Sequence, residues 1–194
     1  MAVYYKHLFT RRCDISDSEG IVYSALIYRA LENPEFFDKD GDLDMRAVRG
    51  HIHDEFLTSG SECLDLPKIN QSRLAKSVGM TRDAVIKILK RLQRKSFMGS
   101  DFVVCPIELI DGGYMQLPVL LENTPDEKKL TSQQRVFYGF LKDRAIPYRG
   151  IIDTWASRLS KLFGTSQQNI YYMMSVLERK GYLERLPDGR LKIK

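Results

Sequence analysis

The sequence predicts a mainly α-helical protein of class α+β, built from two copies of one helical unit that carry small β-hairpins. Three observations predict it. Ser72–Met98 and Ser157–Leu183 align without a gap at an offset of 85 residues, sharing Ser, Arg, Leu, Lys, Gly, Leu, Arg and Lys at matching positions. In each segment a glycine, Gly79 or Gly164, separates two stretches of helical periodicity. Near the end of the chain, Gly181–Ile193 alternates apolar and polar residues around Pro187-Asp188-Gly189, the pattern of a hairpin.

The elements follow in order. Ile15–Ala30 aligns with Leu130–Ala145 at an offset of 115, sharing Tyr23/Tyr138, Leu26/Leu141, Arg29/Arg144 and Ala30/Ala145. The first copy therefore holds an insertion of about 30 residues, placed at 33–66. A first helix starts at a polar cap, Ser16 or Asp17 in one copy and Thr131 or Ser132 in the other. Its apolar positions are Ile21, Val22, Ala25 and Leu26, and Val136, Phe137, Phe140 and Leu141. A short second helix covers Gln71–Val78, or Thr154–Phe163, and stops at the glycine. Thr81 and Ser166 then cap a longer third helix. Val85, Ile88, Leu89 and Leu92 share one face of it, as do Ile170, Met173, Met174 and Leu177 in the second copy. Helix, glycine-containing turn and helix make a helix-turn-helix. Phe102–Ile110 and Tyr114–Leu120, around Asp111-Gly112-Gly113, predict a longer first hairpin. Trp155, Tyr23 and Tyr138 fall at helical core spacing and are expected in the core. Glu122–Glu127 is a short polar junction, so the two domains are expected at 1–121 and 122–194.

Charge is distributed by unit. The whole chain has 30 Lys+Arg against 25 Asp+Glu, net +5. Residues 1–66 carry 7 basic and 13 acidic side chains, 67–98 carry 9 and 1, 99–130 carry 2 and 6, and 131–194 carry 12 and 5. Both helix-turn-helix segments are therefore cationic and the intervening segments acidic, which suits two surfaces for a polyanion. Three scattered cysteines are no disulfide framework, and no run approaches the roughly 18 apolar residues of a membrane span. The start of the chain lacks the apolar run of a signal peptide, so a cytoplasmic protein without membrane association is expected.

The order helix, helix, turn, helix, hairpin, ending in LERKGYLERLPDGRLKI, resembles a winged-helix domain, and the chain resembles two such domains in tandem. SDSEGIVYSALIYRAL and the following DKDGD also resemble plasmid and mobile-element replication initiator proteins, which commonly carry tandem winged helices. The resemblance implies that each third helix enters a DNA major groove while the wing touches the backbone or minor groove. With Val85 turned to the core, Asp83, Lys87, Lys90 and Arg94 lie on the opposite face, flanked by Arg82 and Arg91. These cations can neutralise phosphates, and Arg82 can reach a guanine edge. Arg73, Lys76 and Thr81 complete the expected contacts of the first copy. In the second, Gln167, Gln168 and Tyr172 offer amides for adenine and an aromatic for thymine methyls or phosphates, with Ser166 at the helix start. Phosphates there are expected to meet Arg158, Lys161, Arg185, Arg190 and Lys192.

Double-stranded DNA is thus one expected partner, in replication initiation or in transcriptional regulation. The alternative is a protein-interaction scaffold, which acidic residues 35–66 and an apolar first hairpin also fit. That hairpin, within 99–121, has no Lys or Arg; it suits packing on its own domain, on the second domain, or across a homodimer. No enzyme chemistry, cofactor or metal is expected. Asp38–Asp44 imitates a calcium loop, but its sixth and twelfth positions are Leu43 and Arg49 instead of Gly and Glu, leaving an acidic turn. His51, His53 and Cys63 lack the second ligand pair of a zinc site, and no phosphate-binding loop, GxSxG or HExxH occurs.

Overall fold

The computed structural model describes residues 3–5, 15–41, 43–105, 115–117, 125–145, 150–152 and 155–194. It is mainly helical, with small antiparallel strand pairs. The first half contains β1 (Val3–Tyr5), α1 (Asp17–Ala30), a 3-10 turn at Pro34–Phe36, α2 (Met45–Ser59), β2 (Cys63–Asp65), α3 (Gln71–Val78), α4 (Arg82–Arg94), β3 (Phe102–Val104) and β4 (Met115–Leu117). The second contains a 3-10 turn at Asp126–Lys128, α5 (Ser132–Ala145), β5 (Ile151–Ile152), α6 (Ala156–Phe163), α7 (Gln167–Arg179), β6 (Leu183–Arg185) and β7 (Leu191–Ile193).

The repeat is visible in matched local chemistry. The Ser16 hydroxyl accepts from the Glu19 amide, and the Glu19 carboxylate accepts from the Ser16 amide, closing a capping box on α1. Thr131 and Gln134 exchange the same two bonds at the start of α5. Asn70 caps α3, and Thr81 and Ser166 cap α4 and α7 through their side chains. Gly79 and Gly164 end α3 and α6 at φ 66° and 76°, where a Cβ would be strained. The Tyr23 and Phe97 rings meet edge-on with centroids 5.2 Å apart, and Tyr138 and Tyr182 do so at the same distance. Each of these tyrosines donates its hydroxyl to a backbone carbonyl of the sheet region, Tyr23 to Val104 and Tyr138 to Lys194. The apolar faces expected for the first and third helices are buried throughout.

The strands depart from expectation in the first half. Phe102–Val104 has a partner from outside the expected hairpin: β3 pairs with β2, aligning Val103 with Leu64. β4 pairs with β1, aligning Gln116 with Tyr4, and packs on α5 of the second half. The expected hairpin turn at 111–113, like most of 106–121, lies outside the described residues. The insertion supplies the partner, because β2 passes beside β3 before α3 begins. Three-residue strands carry too little alternation to fix a partner from sequence. The second half forms a three-stranded antiparallel sheet in the order β5-β7-β6, and Gly189 (φ 83°) turns the hairpin between β6 and β7.

The insertion is itself built. Asp38 accepts from the Asp40 amide, and Asp44 caps α2 through the Arg46 and Ala47 amides. The calcium-like run is thus a turn followed by a helix cap. Phe36, Val48 and Ile52 are buried in the same apolar cluster as α1. The two halves meet through their first helices. α1 and α5 pack together, and the Ser18 and Ser132 hydroxyls lie 3.0 Å apart at their N-terminal turns.

Candidate nucleic-acid interface

The cap at Thr81 and the glycine at Gly79 position α4, whose buried stripe turns its other side outward. Arg82, Lys87, Lys90 and Arg94 are all exposed there, as are Arg73 and Lys76 on α3. Among the described residues, Arg73, Arg82, Lys87 and Lys90 have no carboxylate within ion-pair reach. The Arg94 Nε donates to the Lys90 carbonyl at 3.3 Å, which lays its guanidinium back along the helix. A row of cations without counter-charges raises the local positive potential, and phosphate oxygens can take the missing places.

Arg91 stands apart from this row. Its Nε lies 3.4 Å from Glu19, whose other oxygen is 3.1 Å from the Lys95 Nζ. The Glu19 side chain is only 4% exposed. Burial pushes its carboxyl up, but the Ser16 amide, Lys95 and Arg91 together outweigh that and hold it below the usual range. Two of the six cations of residues 82–95 therefore serve the attachment of α4 to α1. Sequence reasoning missed this pairing, although Ser16-x-x-Glu19 is a readable capping box.

The second half presents different chemistry. Gln167 and Gln168 are exposed at the start of α7, beside the capping Ser166, and Tyr171 and Tyr172 are exposed one turn on. Arg158 and Lys161 are exposed on α6, as is Lys192 on β7. The other hairpin cations are already engaged: Arg185 pairs with Glu178, and Arg190 holds Asp188 at 2.6 Å. The Arg190 guanidinium beside Asp188 keeps that carboxyl below the usual range. Lys194 similarly lies 3.4 Å from Glu184. The positive charge counted along this segment is partly cancelled at its own surface.

Trp155 corrects an expectation. It is not core but 84% exposed, at the N-cap position of α6, which begins two residues later than expected. It makes no side-chain cap bond, whereas its counterpart Asn70 does. The indole stands at the position where Asn70 caps α3, and helical spacing placed it on a helix whose first turn it only precedes.

Arg135 is the other residue that sequence reasoning passed over. It is 1% exposed, and its Nη1 donates to the Val78 carbonyl. A cation in the first turn of a helix opposes the macrodipole, and that mismatch was the available signal.

Among the described residues, the metal-like and acidic features assemble no competing site. The His51 ring packs edge-on against Phe36, and the His53 Nδ1 is 3.8 Å from Asp54. Among the described residues, no group of three His, Cys, Asp or Glu side chains could hold a metal ion. The groove bordered by Arg29, Glu32, Asp65 and Asp101 has mainly negative walls, the wrong sign for phosphate. No helix among the described residues is long and apolar enough to cross a membrane. Comparison with known protein families, curated proteins and solved structures finds no match for the chain.

Proposed function

We propose that the protein binds double-stranded DNA in a sequence-specific way through two tandem winged-helix domains, serving replication initiation of a mobile element or transcriptional regulation. The observation that carries this reading is the exposed row Arg82, Lys87, Lys90 and Arg94 on α4, with the buried stripe behind it and the Gly79 turn before it. The β6–β7 hairpin that follows α7, with β5 added at its edge, supports a wing in the second domain. The first domain supplies most of the electrostatic attraction. The second, with Gln167, Gln168 and Tyr172 outward, supplies more of the base reading.

The test is selection of duplexes from a random library, followed by a salt titration of the selected site. Each phosphate contact contributes about 0.9 to the slope of log affinity against log salt. Lys87→Glu with Lys90→Glu is expected to flatten that slope by about two contacts. Unchanged affinity and slope refute the role of α4, and no enrichment of any sequence refutes specific recognition.

A second reading, a protein-interaction scaffold, is favoured by exposed apolar residues away from α4. Phe56 and Leu57 on α2 and Trp155 before α6 are all uncovered. A stable protein complex from a chain that shifts no duplex supports the scaffold, and tight duplex binding at physiological salt supports DNA recognition.

A further inference from the structure

The joint between the two halves contains a directional bond that apolar packing alone would not require. α3 ends at Val78, and the last carbonyls of a helix have no partner within it. The turn that follows uses earlier acceptors: the Gly79 amide bonds to Lys76, and the Met80 amide to Ala75. The Val78 carbonyl is taken by Arg135, which belongs to α5 of the other half and lies 57 residues further along the chain. A guanidinium there also meets the negative end of the α3 dipole. Burial lowers the Arg135 pKa only to about 10, so the group is charged at neutral pH. Three residues beyond Val78, Thr81 caps α4. Whatever holds the end of α3 therefore holds the start of the helix that carries the cationic row.

The arrangement has no mirror image. In the repeat alignment Arg135 corresponds to Gly20 and Val78 to Phe163, so the equivalent position of α1 carries no side chain that could cap α6. Apart from the Ser18–Ser132 hydroxyl contact at one end, the packing of α1 on α5 is apolar and constrains direction weakly, whereas a planar, fixed-fork donor on one carbonyl specifies an orientation.

We infer that Arg135 caps the end of α3 from across the joint and so fixes the mutual orientation of α4 and α7, making the protein select duplexes by the spacing between the segments these helices contact. Arg135 is a positioning residue, and the spacing claim rests on the DNA reading above.

The experiment uses the full chain and a selected duplex in which footprinting has located the two contacted segments. Inserting about 5 base pairs between them turns one segment to the opposite side of the helix. The native protein is expected to lose at least about tenfold in affinity, since one domain then disengages. Arg135→Met, of similar length but with no donor, is expected to bind the two spacings within about threefold of one another. A native protein indifferent to spacing overturns the inference, as does a Met variant that keeps the full discrimination.

Two further measurements separate the possible failures. Residual dipolar couplings on the free protein are expected to fit one alignment tensor for both halves in the native chain. Two tensors there overturn the fixed joint and leave DNA binding standing. If the native chain binds no duplex, the DNA reading and the spacing claim fall together, while the couplings still decide the joint. Should Arg135→Met fail to fold, the spacing series and the couplings of the native chain remain decisive.

Discussion

Replacing Glu19 by Gln separates its two roles, because the second half has already made that replacement. Gln134 occupies the equivalent position and completes its capping box, accepting from the Thr131 amide at 3.0 Å. Val176 stands where Arg91 would be, and Lys180, the counterpart of Lys95, donates to the Glu127 carbonyl. Glu19→Gln should therefore keep the α1 cap and lose only the charge. The lost ion pairs join a buried carboxylate to side chains that are 46% and 33% exposed. Rehydration of the two cations limits the loss, so about 0.5–1 kcal/mol per pair applies, or about 1–2 kcal/mol together. Glu19→Ala removes the cap bond as well and should cost about 1 kcal/mol more. Urea denaturation at neutral pH and near pH 3 measures both variants. Folding lowers the Glu19 pKa below its ordinary 4.5, so the ionised carboxylate stabilises fully above that value and less as pH falls through the lowered one. The gap between native protein and Glu19→Gln should narrow in acid accordingly. A Gln variant as stable as the native protein at neutral pH, or a gap unchanged in acid, would refute the reasoning.

Other outcomes follow from single features. Ser96 adopts φ 60° where the second half has Gly181 at 78°, so Ser96→Gly should stabilise the protein by about 0.5–1 kcal/mol, read from the urea midpoint; a loss would contradict the strain. Trp155→Asn should add about 0.5–1 kcal/mol by restoring the cap that Asn70 provides to α3, and a simultaneous fall in duplex affinity would mark the indole as a contact. Arg190→Ala should reduce the salt slope less than Lys87→Ala, because Asp188 already neutralises Arg190; equal reductions would show that the pair opens on binding. Burial pushes the Cys105 thiol up to about 12, so it should react with an aromatic disulfide reagent only on unfolding, and rapid labelling of the folded chain would disprove its enclosure.

The helical cores were legible because their signals are local. Gly79, Gly164, Thr81 and Ser166 each act within one turn, and Val85, Ile88, Leu89 and Leu92 repeat at the helical period. α2 was not legible, since Val48 and Ile52 are its only buried positions and Gly50 lies between them. The partners of β3 and β4 come from residues 63–65 and 3–5, which no local pattern announces. At the candidate site, exposure of the α4 cations followed from the face opposite Val85. Which cations were already engaged did not, because Arg91, Arg185 and Arg190 find carboxylates through folding, turns and strand placement. For Arg135 the unfavourable charge at the start of α5 was legible, but its acceptor was not, being a carbonyl that no sequence pattern marks.

The insertion between α1 and β2 also sets a limit on how far the first half can be trimmed. The second half covers the equivalent stretch from Ala145 to Ile151 with only five intervening residues. In the first, the added segment has lent Phe36, Val48 and Ile52 to the shared interior and Cys63–Asp65 to the sheet. Excision down to the shorter connection would open a void beside α1 and strip β3 of its neighbour. The added chain is thus a structural dependency, and a minimal folded fragment of this half would have to retain it.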